Sequence, residues 1–149
     1  MIRDELKAAQ IAAMKGGDKE RLAAVRLMLA KVKDRDIELR GKEPGDDDAM
    51  VIDVLQKMAK QRRESIQMYE DGGREELAAA ERSELAVIEQ FLPAQMSEDE
   101  TRAAIEGIKA DLNASGMKDM GRVMAELKAR HGTELDMSRA SALVKESLS

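Results

Sequence analysis

Residues 91–100, FLPAQMSEDE, contain a helix stop followed at once by a helix start. Pro93 lacks a backbone N–H and its ring clashes with the preceding turn, so a helix is not expected to continue through it. Ser97 and Glu100 have the spacing of a capping box, in which each side chain accepts a hydrogen bond from the other residue's backbone N–H. The predicted boundary separates an N-terminal part, residues 1–93, from a C-terminal part, residues 97–149.

The N-terminal part is predicted to contain four helices, at about residues 2–14, 19–40, 49–70 and 74–91. Glycine pairs end the first and the third helix, and residues 41–48, GKEPGDDD, have the composition of a turn. The C-terminal part is predicted to contain three. The first covers residues 98–112, the second begins near Met117 and ends at His131, and Asp136 caps the third.

The composition predicts an all-α protein with an aliphatic core. Strong helix formers dominate the chain, Tyr69 and Phe91 are its only aromatic residues, and eleven methionines supplement the aliphatic side chains. No segment alternates between apolar and polar residues for long enough to predict a strand. The C-terminal part, at about fifty residues, lies near the lower size limit for independent stability.

The second helix carries a seven-residue repeat that permits two interpretations. Its apolar positions are Leu22, Val25, Leu29, Val32 and Leu39, with Asp36 as an interruption. Cations flank this seam, with Lys19, Arg26, Lys33 and Arg40 on one edge and Arg21, Arg35 and Lys42 on the other. We favour long side chains that cover the seam and pair with acidic neighbours. The alternative is a binding stripe.

Several kinds of chemistry are not expected. The chain has no cysteine, and it contains neither a phosphate-loop motif nor a dinucleotide-binding motif. Its single histidine, His131, is predicted to end a helix. Its acidic runs have the pattern of turns and helix starts, so we expect no catalytic residue, cofactor or metal. The N-terminus lacks a signal-peptide pattern and no apolar run is long enough to span a membrane, so we expect a cytoplasmic protein without membrane contact.

Basic residues form the candidate contacts to nucleic acid. The net charge of −5 argues against indiscriminate binding, but phosphate recognition needs cations on one face rather than net charge. The third and sixth predicted helices supply eight candidates: Lys57, Lys60, Arg62, Arg63, Lys118, Arg122, Lys128 and Arg130. These residues alone do not distinguish a tRNA-binding protein from any charged helical bundle.

The segment SGMKDMGRVM, residues 115–124, places Gly121 inside a predicted helix, where glycine costs about 1 kcal/mol relative to alanine. We favour close packing of another helix against Gly121, and the alternative is close approach of an RNA backbone. Gly116 is predicted as the N-cap and Asp119 as the third helical residue, where a carboxylate complements the helix dipole. Met117, Met120 and Met124 are expected to form the margin of the core.

Three stretches together resemble the GatB/YqeY family: residues 60–100, the segment GMKDMGRVM and the C-terminal segment ASALVKESL. The chain is similar to a stand-alone YqeY-type protein. A relative is the C-terminal helical and tail region of the B subunit of the tRNA-dependent amidotransferase, an enzyme that uses glutamine as amide donor. One departure is Gly116, where the family usually has a serine.

The resemblance implies a tRNA-associated accessory protein that is not catalytic alone, because the catalytic parts of the amidotransferase lie outside the matching region. The family label that it carries is carbon–nitrogen ligase activity with glutamine as amido donor. Expected partners are tRNA, and aminoacyl-tRNA or the amidotransferase machinery. The alternative is a helical module that binds a protein through the seam of the second helix and does not bind RNA.

Overall fold

The computed structural model describes residues 1–149, and every regular element is helical. The seven α-helices are α1 (Ile2–Gly16), α2 (Lys19–Glu38), α3 (Asp47–Asp71), α4 (Glu75–Gln90), α5 (Glu98–Leu112), α6 (Met120–His131) and α7 (Met137–Leu148). A short 3-10 turn, Met117–Asp119, precedes α6. The all-α fold predicted from the composition is confirmed. The helices divide into two compact units, Met1–Leu92 and Pro93–Ser149.

The first unit buries an aliphatic core among α1, α2, α3 and α4. Leu6, Val25, Met28 and Leu55 are completely buried, and Ile88 is nearly so. Burial of one such side chain contributes about 1.5–3 kcal/mol relative to leaving it in water. The core of this unit therefore contains a side chain from each of its four helices.

The apolar repeat predicted for α2 is partly wrong. Val25 and Val32 are buried as expected, but the other buried residues are Ala24 and Met28, whereas Leu22, Leu29 and Leu39 are only half buried. The physical reason is that α2 packs against α1, α3 and α4 together, so its buried stripe follows the 3.6-residue period of a globular helix. An apolar repeat of 3.5 residues is instead typical of a helix that packs against one partner helix in a coiled coil.

The second unit has its own core, formed by α5, α6 and α7. Ile105, Val123, Leu127 and Val144 are completely buried. The predicted capping box is present, since the Ser97 N–H donates to the Glu100 carboxylate and the Glu100 N–H donates to Ser97 Oγ, both over 3.1 Å.

Candidate nucleic-acid interface

The polypeptide enters α6 through the 3-10 turn, which shifts two predicted positions. The Asp119 N–H donates to the Gly116 carbonyl over 2.9 Å, so Gly116 caps the turn. The first residue of α6 is Met120, and Asp119 precedes it. The prediction that Gly116 caps the sixth helix and that Asp119 is its third residue is therefore wrong in register. The cause is the tighter i to i+3 hydrogen bonding of the turn.

Asp119 is a buried carboxylate that stabilises this entry. Its Oδ2 accepts a hydrogen bond from the Ser115 N–H over 3.1 Å, and its Oδ1 accepts one from Arg122 over 3.0 Å. The Ser115 N–H and the Arg122 guanidinium both hold the pKa of the Asp119 carboxyl below its ordinary value. Asp119 is therefore charged at neutral pH and fixes the position of Arg122.

Arg122 also links α6 to the end of α5. Its Nη2 donates to the Leu112 carbonyl over 3.2 Å, and that carbonyl is one of those left without a partner at a helix C-terminus. A cation at this end of a helix is favoured by the helix dipole. The Arg122 side chain nevertheless remains 56% exposed. Only Nη2 takes part in these two hydrogen bonds, so the guanidinium keeps further N–H donors.

Gly121 does not contact another helix. A Cβ atom at this position would meet no other atom within 4 Å, and the residue is exposed. The predicted close packing at Gly121 is wrong because α6 turns Val123 and Leu127 toward the core and Gly121 away from it. The alternative, close approach of a ligand, is compatible with this open position.

The expected methionine margin is present for two of its three members. Met120 and Met124 are half buried and pack against the core of the second unit, whereas Met117 in the 3-10 turn is 44% exposed.

One side of the 3-10 turn and α6 combines cations with very small residues. We call it the α6 outer face, and it consists of Lys118, Gly121, Arg122, Ala125, Lys128 and Ala129. These residues recur at spacings of three and four, which places them on one side of a helix. All six are exposed, and none is acidic. Lys118 and Lys128 form no ion pair within the protein.

The cations predicted on α3 have partners within the fold. Arg62 pairs with Glu81 over 3.1 Å and with Glu84 over 3.0 Å, and Arg63 pairs with Glu89 over 3.5 Å. These contacts connect α3 to α4. Lys57 pairs with Asp53 on its own helix, and Lys60 also has an interaction partner.

Arg130 at the end of α6 is similarly engaged. It pairs with Glu126 over 2.7 Å and with Asp111 of α5 over 3.0 Å. The structure thus gathers three of the eight predicted cations, Lys118, Arg122 and Lys128, on the α6 outer face.

The cations on α2 behave differently from the favoured interpretation. None of Lys19, Arg26, Lys33 and Arg40 forms an ion pair, so the prediction that they pair with acidic neighbours is wrong, and Arg40 lies beyond the end of the helix. On the other edge, Arg21 donates to Gln90 and Arg35 pairs with Glu38. Ala23 and Ala30 alternate with Lys19, Arg26 and Lys33 along α2. This alternation is visible in the sequence, but it did not enter the prediction.

His131 ends α6, as predicted. Its Nδ1 is buried without a hydrogen bond and lies 3.9 Å from a Glu134 carboxylate oxygen. No group of three or more histidine, cysteine or acidic side chains is arranged to hold a metal ion. None of the helices combines the length and the apolar character needed to cross a bilayer.

The structure defines an all-α protein with two helical units, the second of which presents a basic outer face. The chain belongs to the Yqey-like protein family, whose model matches residues 3–148. The predicted resemblance to YqeY-type proteins is thereby confirmed.

Curated relatives include the yeast protein "altered inheritance of mitochondria protein 41, mitochondrial" from Saccharomyces cerevisiae strains YJM789 and ATCC 204508 / S288c. Each is 30% identical over 92 residues, which cover 62% of this chain and 46% of the relative. The match thus spans less than half the length of these relatives. Their name assigns them to mitochondria, so the cytoplasmic location expected from the sequence stays a prediction.

Proposed function

We propose that this chain is a tRNA-associated accessory protein, similar to the tail region of the amidotransferase B subunit and without catalytic activity of its own. The observation that carries the proposal is the α6 outer face, where Gly121 lies exposed among three cations. No helix packs against Gly121, so internal packing gives no reason for a residue that costs a helix about 1 kcal/mol. The same holds for Gly107 on α5, and what distinguishes Gly121 is its position among the three cations. Close approach of a ligand backbone does give a reason.

The chemistry of the face suits a phosphate backbone. Lys118 and Lys128 form no ion pair or side-chain hydrogen bond, although Lys118 lies near the Asp119 carboxylate, and the guanidinium of Arg122 keeps further donors beside them. Gly121 and Ala125 lie between these cations and present no long side chain, so the backbone of a nucleic acid can lie close to the helix. Lysine and arginine contacts to phosphate supply the largest sequence-independent part of nucleic-acid affinity.

The remaining predicted cations are proposed as secondary contacts. Arg130, Lys57, Arg62 and Arg63 would each have to exchange an acidic partner for a phosphate group, which reduces the net gain. Lys60, which also interacts within the protein, belongs to the same group.

The proposal predicts how salt affects tRNA binding. Affinity for unfractionated tRNA should fall as salt rises, with a log–log slope of about −0.7 to −0.9 for each phosphate neutralised. The double variant Lys118→Ala/Lys128→Ala should flatten this slope by about one to two units, because two contacts are lost. Fluorescence anisotropy with labelled tRNA over a range of salt concentrations measures the slope.

Lys145→Ala is the matched control. Lys145 is an exposed lysine without an ion pair in the same unit, on α7, and its removal should leave the slope unchanged. The proposal fails if the parent protein shows no salt-dependent tRNA binding, or if the double variant binds as the parent does.

A further inference from the structure

The side of α2 that faces away from the core has a regular composition. We call it the α2 outer face, and it consists of Lys19, Ala23, Arg26, Ala30, Lys33 and Ile37. Successive members are four, three, four, three and four residues apart, so they lie along one side of the helix, opposite the buried stripe. All six are exposed, and Ile37 is 47% exposed.

The cations of this face have no partner within the protein. Lys19, Arg26 and Lys33 form neither an ion pair nor a side-chain hydrogen bond, although the chain carries an excess of acidic residues. They recur every seven residues, which places successive cations about 10.5 Å apart along the helix. Arg21 and Arg35, on other sides of the same helix, do have partners.

Apolar residues follow the same seven-residue spacing between the cations. Ala23, Ala30 and Ile37 lie seven residues apart, so the α2 outer face alternates cationic and apolar positions at the three-four spacing of a coiled-coil seam. Alanine is short enough to let a second helix approach to an interaxial distance of about 8 Å, the low end of the usual range. This face is exposed to solvent along its whole length.

We propose that the α2 outer face binds an acidic amphipathic helix of a partner protein. Glutamate or aspartate side chains at seven-residue spacing on that helix would pair with Lys19, Arg26 and Lys33. Its apolar side chains would cover the two alanines and the isoleucine. This interaction surface lies in the unit Met1–Leu92 and does not depend on tRNA binding at the α6 outer face.

A helix fits this face better than a nucleic-acid backbone does. Glu20, Asp34 and Glu38 directly follow Lys19, Lys33 and Ile37 in sequence and therefore border the face along one side. A continuous row of phosphates would meet these carboxylates within the Debye length of about 8 Å. A helix can place one acidic side chain against each cation and also gains from burying the apolar residues, which phosphates do not.

The test uses a synthetic acidic helix as probe. A fluorescein-labelled 21-residue peptide, three repeats of EALAALE, is titrated with the full-length protein and followed by anisotropy. We expect saturable binding that weakens as salt rises. The triple variant Lys19→Ala/Arg26→Ala/Lys33→Ala should weaken binding about tenfold through the loss of three ion pairs. Alanine favours the helix at each of these exposed positions, so this variant should fold.

The control variant Lys15→Ala/Lys42→Ala/Lys145→Ala has the same net charge as the triple variant and changes exposed lysines elsewhere. It should bind the peptide as the parent does. Ala30→Gln should also weaken binding, because a longer side chain blocks close helix approach, whereas Ala12→Gln on α1 should not.

Three results would overturn the proposal. The first is the absence of saturable peptide binding by the parent. The second is equal weakening in the triple variant and its charge-matched control. The third is binding of a 21-base-pair RNA duplex, lost in the triple variant, in place of peptide binding, because the occupant would then be a nucleic acid.

Discussion

Arg3 holds together the ends of three helices in the unit Met1–Leu92. Its guanidinium donates two hydrogen bonds to Asp36 near the end of α2, over 2.8 and 2.9 Å. It also donates to Asp47, the first residue of α3, over 2.8 Å. The aspartate that interrupts the apolar repeat of α2, Asp36, is thus the partner of an arginine on α1.

The first prediction concerns the pH dependence of this cluster. Hydrogen bonds from Arg3 hold the pKa values of Asp36 and Asp47 below their ordinary range. Both carboxyls therefore bind protons more weakly in the folded protein than in the unfolded chain. Their contribution to stability is fully present above the unfolded pKa of about 4 and is lost as the pH falls through the lowered folded pKa values.

Arg3→Met keeps an apolar stem but removes these bonds. At pH 7 we expect a loss of about 1–2 kcal/mol in the free energy of unfolding, measured by urea denaturation and circular dichroism. The difference from the parent should shrink as the pH is lowered below about 4. Lys57→Met removes a more exposed pair, with Asp53, and should have a smaller effect at every pH. A constant difference down to pH 2 would contradict the assignment.

At the scale of one element, a glycine of α6 can be tested for two separate properties: its effect on helix stability and its contact with a ligand. Gly121 and Gly107 are both exposed helical glycines, and an added Cβ atom would meet no other atom within 4 Å at either position. They differ in surroundings, since Gly107 belongs to α5 and not to the α6 outer face. The two positions therefore form a matched pair.

The second prediction uses this pair. Gly121→Gln and Gly107→Gln should each raise the free energy of unfolding by up to about 1 kcal/mol, because glutamine favours a helix over glycine. Only Gly121→Gln should weaken tRNA binding, since its longer side chain occupies the space between the cations. Thermal melting and anisotropy measure the two effects. Equal tRNA affinity of both variants would show that Gly121 has no contact role.

The elements were largely predictable from local signals, and the candidate surfaces were not. The stop at Pro93, the caps at Ser97 and Asp136 and the glycine pairs locate helix ends because they act within a few residues. Whether Arg62 is paired depends on Glu81, which lies on α4. Whether Gly121 is packed depends on which side of α6 meets α5 and α7, and that side is the one that carries Val123 and Leu127. A local sequence pattern does not show which residues of other helices will form these contacts.

At the scale of the whole molecule, the chain is expected to lack the amidotransferase reaction. It has no cysteine, and its single histidine lies at the end of α6, where its Nδ1 is 3.9 Å from a Glu134 carboxylate oxygen and forms no hydrogen bond. Nucleophilic catalysis needs a nucleophile adjacent to a base. The purified chain should release no ammonia from glutamine and should not amidate charged tRNA. Turnover that a single substitution abolishes would contradict this expectation.

The last prediction concerns residues 93–96, the first residues of the second unit. The Gln95 side chain donates to the carbonyls of Pro93 and Thr133, over 2.8 and 3.1 Å, and the Met96 N–H donates to the Glu134 carbonyl over 2.9 Å. Residues 93–96 are thus attached to the loop before α7 by few bonds, whereas helical backbone is protected by its own hydrogen bonds. Limited proteolysis should therefore cut between residues 92 and 97 before it cuts inside any helix.

Gln95→Ala should increase the rate of this first cut, because it removes one of the two bonds to that loop, the one to Thr133, as well as the bond to Pro93 within the segment. Gln67→Ala is the matched control, since Gln67 also donates one exposed side-chain hydrogen bond, to Asp71 within α3. Its cleavage rate should equal that of the parent. Mass spectrometry of the first fragments identifies the site. First cleavage inside α2 or α6 would count against a boundary at this segment. Equal rates for all three proteins would show that the Gln95 bonds do not restrain it.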